Sequence, residues 1–129
     1  MRLKLLVAAA VLVPTPASAQ SMDAETFFQK ARALQRKGMM AVFSRDVKLL
    51  VKEATAAGET ARAQRLAALK MGGKPRYCPP PGSQRMGSDE FMERLGAMSR
   101  VDRLKIDMTE AMIRIQIVKF PCRQGNDQN

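Results

Sequence analysis

Two cysteines, Cys78 and Cys122, constrain the fold of this 129-residue chain more than any other feature. Three consecutive prolines follow Cys78, and one proline precedes Cys122. In an exported protein, a single pair of thiols most simply forms one disulfide, which requires the two segments to meet in space. Free thiols and metal-bound thiols are the alternatives, although the chain has no histidine to complete a zinc site.

The first 19 residues are typical of a secretory signal peptide. Arg2 and Lys4 precede an apolar run at 5–13, and small residues at 17–19 form a cleavage site. A retained membrane anchor is the alternative, but the apolar run is shorter than the ~20 residues of a transmembrane helix. The sequence therefore predicts one mature domain, residues 20–129, in the periplasm or outside the cell, with no membrane span.

The chain is strongly basic, with a formal net charge of +10, and loss of the leader lowers this by two charges. A basic surface favours an acidic protein, an anionic envelope polymer or nucleic acid as partner. Export disfavours nucleic acid, and the absence of tryptophan leaves few stacking platforms for bases or sugars. The alternative is that the charge serves solubility alone.

Apolar spacing and capping residues predict an all-α fold, a small bundle of about five helices. The predicted helices are 23–37, 44–57, 60–71, one that begins after a Ser88 cap, and one that begins after a Ser99 cap and ends near 119. Gly38 and Gly58 are predicted to end the first two helices, and residues 39–43 are a candidate extension of the second. The last helix is apolar on more than one side, which predicts a central position, although alternation at 113–117 also suits a strand.

Between the third and fourth predicted helices lies a loop, residues 72–87, with four glycines and four prolines. Consecutive prolines remove backbone donors and fix φ, so the segment is predicted to be stiff and polyproline-like. A disulfide would fix this loop to the last helix and close a ring of about 45 residues, which stabilises by roughly 4 kcal/mol.

The same loop is the predicted binding edge, because a preformed loop loses little entropy on binding. Its candidate contact residues are Arg76, Tyr77, Pro79, Pro80, Pro81, Gly82 and Gln84. Basic residues precede it at Arg62, Arg65, Lys70 and Lys74. Together they predict a patch for an acidic partner, with an ordinary solvated helix face as the alternative.

The residue inventory predicts no enzyme activity and no cofactor. Without histidine there is no Ser-His-Asp or Cys-His pair. Asp89, Glu90 and Glu93 suit glycoside hydrolysis, but a first helical turn also attracts carboxylates through its dipole. Ten methionines suit Cu(I), yet Met108 and Met112 lie on an apolar stripe where methionine fills a core.

Four short pieces of the C-terminal half form a recognisable outline. They are Tyr-Cys-Pro-Pro at 77–80, Ser-Asp-Glu-Phe at 88–91, Arg103, and Phe-Pro-Cys at 120–122. In this outline, residues 77–122 resemble the periplasmic immunity proteins that neutralise type VI secretion amidase effectors. The resemblance implies a small all-helical fold, a structural disulfide between Cys78 and Cys122, and a homodimer that blocks an amidase cleft. A second cysteine pair, frequent in that family, is absent here.

The leading functional expectation is therefore a periplasmic immunity-type inhibitor that binds and occludes an acidic cell-wall amidase effector. The alternative is a non-catalytic structural envelope protein whose basic face binds anionic surface polymers.

Overall fold

A computed structural model describes residues 21–123, and within that range it contains helices and no strand. The elements in chain order are α1 (Ala24–Lys37), a 3-10 helix (Gly38–Phe43), α2 (Arg45–Lys70), α3 (Ser88–Ala97), α4 (Arg100–Lys105) and α5 (Met108–Lys119). The predicted all-α fold with five α-helices is confirmed. The predicted signal peptide, residues 1–19, lies outside the described residues.

The first helix follows its sequence signals closely. The Asp23 carboxylate caps α1 by accepting a hydrogen bond from the Thr26 N–H at 2.8 Å. Gly38 ends the helix with φ at +58°, a conformation that favours glycine. Phe27 and Phe28 are buried on the inner face of the helix, so the capping residues and the apolar spacing predicted both its limits and its orientation.

The two helices predicted on either side of Gly58 form one continuous helix, α2, and that prediction was wrong. A glycine inside a helix costs about 1 kcal/mol relative to alanine, which packing can offset. Here Ala57 and Ala61 are buried where α2 meets α5. A Cβ at Gly58 would contact the Met112 side chain at 3.9 Å, so this position lies against the core of the bundle.

The helix predicted to run from 99 to 119 is divided into α4 and α5, which corrects the second boundary. Ile106 is extended, and its carbonyl accepts a hydrogen bond from the Ala24 N–H at 3.0 Å. Asp107 then caps α5, and the Met108 N–H donates to the Met22 carbonyl at 2.9 Å. The break exists because the start of α1 takes its backbone partners from this junction.

Two further helix boundaries differ from the predicted ones by a few residues. Ser88 is the first residue of α3, and Gly87 occupies the cap position. Residues 39–43 do not extend α2; they lie in the separate 3-10 helix, and Ser44 caps α2. Ser99 caps α4 as predicted, accepting from the Asp102 N–H at 3.0 Å.

The central helix of the bundle is α5. Its buried residues are Met108, Ala111, Met112, Ile113 and Ile115. They cover more than one side of the helix, which confirms the predicted central position and decides residues 113–117 in favour of helix. The rest of the core comes chiefly from Phe27, Leu50, Phe91 and Leu95 on the surrounding helices.

A buried ion pair joins α1 to α4. The Arg103 Nε donates to the Glu25 carboxylate at 2.6 Å, and the two residues are 6% and 5% exposed. The Arg103 guanidinium lies over the Phe28 ring, 4.1 Å from its centroid. It also donates to the carbonyls of Leu95 and Met98 at the end of α3. One arginine thus satisfies the carbonyls of one helix end and the buried carboxylate of another.

Candidate functional site

The predicted disulfide between Cys78 and Cys122 is present, with the two Cα atoms 4.8 Å apart. The Cys78 N–H also donates to the Phe120 carbonyl at 2.8 Å. The loop is therefore fixed to the C-terminal end of α5 by one covalent bond and one backbone hydrogen bond.

Beyond Cys78, the predicted binding edge is a surface loop. Pro80, Pro81, Gly82 and Gln84 are exposed, and Pro79 is half-buried. Gly82 has φ at +99°, which lets the chain turn after the prolines at a position where a side chain would be strained. The loop combines a fixed base with three residues of restricted φ, so its shape is largely set before any partner arrives.

The structure places Tyr77 in the core, 5% exposed, and not on the exposed edge. The Arg65 guanidinium lies over its ring, 5.7 Å from the centroid. Tyr77 therefore anchors the start of the loop from the inside.

Part of the predicted basic patch lies around a small depression beside this tyrosine, but Arg62 and Lys70 do not line it. The depression has a volume of about 170 Å³, and Arg65, Lys74 and Arg76 line it together with Tyr77. Lys74 and Arg76 are exposed. The structure thus brings basic side chains from α2 and from the loop to one place, where they suit an acidic side chain.

Arg76 already forms an ion pair within the protein. Its guanidinium donates to both carboxylate oxygens of Glu110 at 2.7 and 2.9 Å, and Arg114 donates to the same carboxylate at 3.0 Å. The hydrogen bonds from Arg76, reinforced by Arg114, lower the pKa of Glu110 from 4.5 to about 2. This pair fixes the loop base to the first turn of α5.

We expect Glu110→Gln to lower the free energy of unfolding at neutral pH by about 1 kcal/mol, because an ion pair that solvent reaches, with side chains 52% and 30% exposed, contributes little more. A lowered pKa means that the stabilisation is complete above pH 4.5 and is lost as the pH falls towards 2. Urea unfolding across that range should show wild type and variant converging in acid. A difference that persists unchanged near pH 2 would contradict the assignment.

The carboxylates at the start of α3 lie in two different environments. Lys119 donates to both oxygens of Glu90 at 2.8 and 2.7 Å, and Arg94 donates at 2.9 Å. The hydrogen bond from Lys119, followed by that from Arg94, lowers the pKa of Glu90. A glycosidase acid needs the opposite shift. Asp89 and Glu93 instead line an open cleft of about 470 Å³ between α1 and α3.

Residues 21–123 contain no group of three histidine, cysteine, aspartate or glutamate side chains that could hold a metal ion. Met108 and Met112, the methionines that suited a copper site, are both buried in the core. Their thioethers fill space between helices, as expected for methionine in a packed interior.

The structure also has an exposed apolar surface that was not predicted from the sequence. Four apolar side chains of the 3-10 helix are 72–89% exposed: Met39, Met40, Val42 and Phe43. These four residues are called the apolar tip below. Large apolar groups clustered at the surface of a small domain mark an interaction site more often than scattered ones do. The signal was present as five consecutive apolar residues, 39–43, directly after a helix-ending glycine.

Among the described residues, no helix combines the length and the apolar character that crossing a membrane requires. A further apolar groove of about 500 Å³ lies between α1, α2 and the start of α3, lined among others by Leu34, Val47, Val51 and Met92.

Comparisons with known proteins leave the chain without an assigned relative. No family profile, no curated protein and no solved structure matches it.

Proposed function

We propose that this protein is a non-catalytic inhibitor of immunity type, which binds an acidic cell-wall amidase effector in the periplasm and occludes its cleft. The observation that carries the proposal is the exposed loop that the disulfide fixes to α5. An exposed loop with a fixed base is suited to entering an enzyme cleft.

Rigidity supports this use of the loop. Ordering a flexible loop on binding costs free energy, and a loop that is already ordered avoids that cost. The base of this loop is held by the disulfide, by the buried Tyr77 ring and by the Arg76–Glu110 ion pair.

Charge supports an acidic partner. Lys74, Arg65 and Arg76 line one depression beside the loop. Of these three, only Arg76 forms an ion pair within residues 21–123. An aspartate or glutamate of the partner would therefore find unpaired donors there. The choice of an amidase, and of a homodimer as the active form, rests on the resemblance of residues 77–122 to immunity proteins.

The first test is complex formation and inhibition. Purified protein is mixed with a type VI amidase effector encoded beside it or elsewhere in the same genome, and peptidoglycan hydrolysis and co-elution are measured. We expect a complex at micromolar concentration and loss of hydrolysis. Absence of both, for every candidate amidase of that genome, would count against the proposal.

A pair of matched variants then locates the surface. We expect Lys74→Glu with Gln84→Glu to weaken inhibition by about tenfold or more, as loss of central contacts does. Lys52→Glu with Gln35→Glu makes the same charge change on exposed positions of α2 and α1, and should inhibit normally. Equal losses in both variants would mean that only the net charge matters.

Salt dependence separates the inhibitor from the alternative, a structural envelope protein that binds anionic surface polymers. Binding through exposed charges weakens steeply with salt, because charges further apart than about 10 Å are screened at 0.1 M. A complex with a buried core should survive moderate salt. Selectivity for one amidase over purified anionic polymers is expected only of the inhibitor.

A further inference from the structure

The apolar tip protrudes from the end of the bundle where α1 passes into α2. Of its 3-10 helix, only Ala41 is partly buried against the core. The four large side chains around it point outward, with Met39 at 89% and Phe43 at 84% exposure. These exposed side chains form an apolar surface that no other part of residues 21–123 covers.

Four cations, called the basic rim below, flank the tip on both sides along the chain. Arg36 and Lys37 form the last turn of α1, and Arg45 and Lys48 lie in the first turn of α2. All four are exposed, and none forms an ion pair within residues 21–123. Asp46 is the only acidic residue between positions 36 and 48.

We propose that the apolar tip inserts into the interface of an anionic phospholipid membrane, with the basic rim at the level of the headgroups. Interfacial elements of this kind bury apolar side chains about 5–10 Å deep and pair lysine and arginine with anionic lipids. Both components are present here: two thioethers, an aliphatic group and an aromatic ring in the 3-10 helix, and cations in the helical turns on either side of it. This inference does not depend on the inhibitor proposal.

The charge pattern favours lipid over a second copy of the chain. A two-fold dimer through the tip would bring two basic rims together, and like charges at an interface are unfavourable. An anionic bilayer instead neutralises the rim, and each cation near such a surface contributes to binding. Methionine adapts its shape to an irregular surround, which also suits acyl chains.

The chain has no tryptophan, so one introduced indole reports its own surroundings. Phe43→Trp places the probe in the apolar tip. Met71→Trp is the matched control, since Met71 is 87% exposed at the far end of α2, roughly 40 Å away along the helix. Both positions are exposed enough to accept the indole without changing the core, which circular dichroism checks.

Each variant is titrated with vesicles of phosphatidylglycerol and phosphatidylcholine in equal parts, and with phosphatidylcholine alone. The protein used is the form that cells export, with its N-terminus determined by mass spectrometry. We expect a blue shift and quenching by brominated lipid for Phe43→Trp with anionic vesicles only. Met71→Trp should keep the emission of a solvated indole.

Removal of either component of the site should weaken co-flotation of the protein with anionic vesicles. We expect about a tenfold loss for Met40→Ser with Phe43→Ser, and a similar loss for Arg45→Gln with Lys48→Gln. Arg62→Gln with Lys70→Gln removes two exposed cations at the other end of α2 and should have little effect.

Three results would overturn the proposal. One is absence of flotation by the wild-type protein. Another is equal binding by the tip variant and the wild type, which would place membrane binding elsewhere. The third is a tip variant that dissociates a dimer or a complex with an acidic protein while lipid is never bound, because the occupant is then a protein.

Discussion

Arg103→Met should lower the free energy of unfolding by about 3 kcal/mol or more, because it leaves the Glu25 carboxylate buried without its main cation. Glu25 would retain Gln29, whose side-chain amide donates at 2.7 Å, and the exposed Arg100 at 3.5 Å. The carbonyls at the end of α3 would lose their donor as well. Urea unfolding monitored by circular dichroism measures the difference.

Two further variants separate charge from shape. Arg103→Lys keeps the cation but lacks the planar fork that bonds Glu25 and the α3 carbonyls together, so it should recover only part of the loss. Glu25→Met with Arg103→Met removes both charges, and we expect it to be more stable than Arg103→Met alone. A double variant as unstable as the single one would mean that Arg103 acts through the α3 carbonyls and not through Glu25.

The effect of Arg103→Met should also depend on pH. Hydrogen bonds from Gln29 and then from Arg103 lower the pKa of Glu25 below its ordinary value of 4.5. A lowered pKa stabilises the fold above pH 4.5 and less so in acid. Without Arg103 the carboxyl should protonate more readily, so the difference between variant and wild type should shrink as the pH falls.

The sequence did not predict the ion pair between Glu25 and Arg103. Glu25 lies in the first turn of α1, where the helix dipole is by itself a sufficient reason for an acidic residue. Its partner lies 78 positions away, and a single sequence carries no signal of contacts at that separation. Local signals succeeded where the cause is local, as with the Asp23 cap, the Gly38 stop and the proline-rich loop.

The two wrong helix boundaries have the same origin. Gly58 predicts the end of a helix. However, the helix face around it is buried against α5, and this packing stabilises α2 as one continuous helix. The apolar spacing of residues 99–119 predicts one amphipathic helix, but the start of α1 pairs with the middle of this segment. The Ala24 N–H donates to the Ile106 carbonyl, and the Met108 N–H donates to the Met22 carbonyl. Asp107 was the available clue, since aspartate within an apolar run is a capping residue.

The candidate surfaces also combine features that the local sequence predicts with features that depend on the fold. Exposure of Pro80, Pro81, Gly82 and Gln84 follows from composition, because such residues rarely form a core. Burial of Tyr77 depends on α2 and α5 meeting beside it, which only the fold decides. The apolar tip was assigned to a helix extension, since five apolar residues give no local reason to remain exposed.

Loss of the disulfide should have an effect as large as loss of Arg103. We expect Cys78→Ala with Cys122→Ala to lower the free energy of unfolding by about 4 kcal/mol, since the bond closes a loop with a sequence separation of 44. For a domain of this size, that corresponds to a fall in Tm of roughly 20 °C. The reduced wild-type protein is the control and should show the same loss.

The same variant also tests what fixes the binding loop. The Cys78 N–H donates to the Phe120 carbonyl at 2.8 Å, and hydrogen exchange at that amide reports whether the loop base stays closed. We expect exchange to become much faster without the disulfide, and inhibition of an amidase to weaken with it. If stability falls by less than about 1 kcal/mol and the amide stays protected, the Tyr77 ring and the Arg76–Glu110 ion pair hold the loop by themselves. The covalent bond would then contribute little to the shape of the loop.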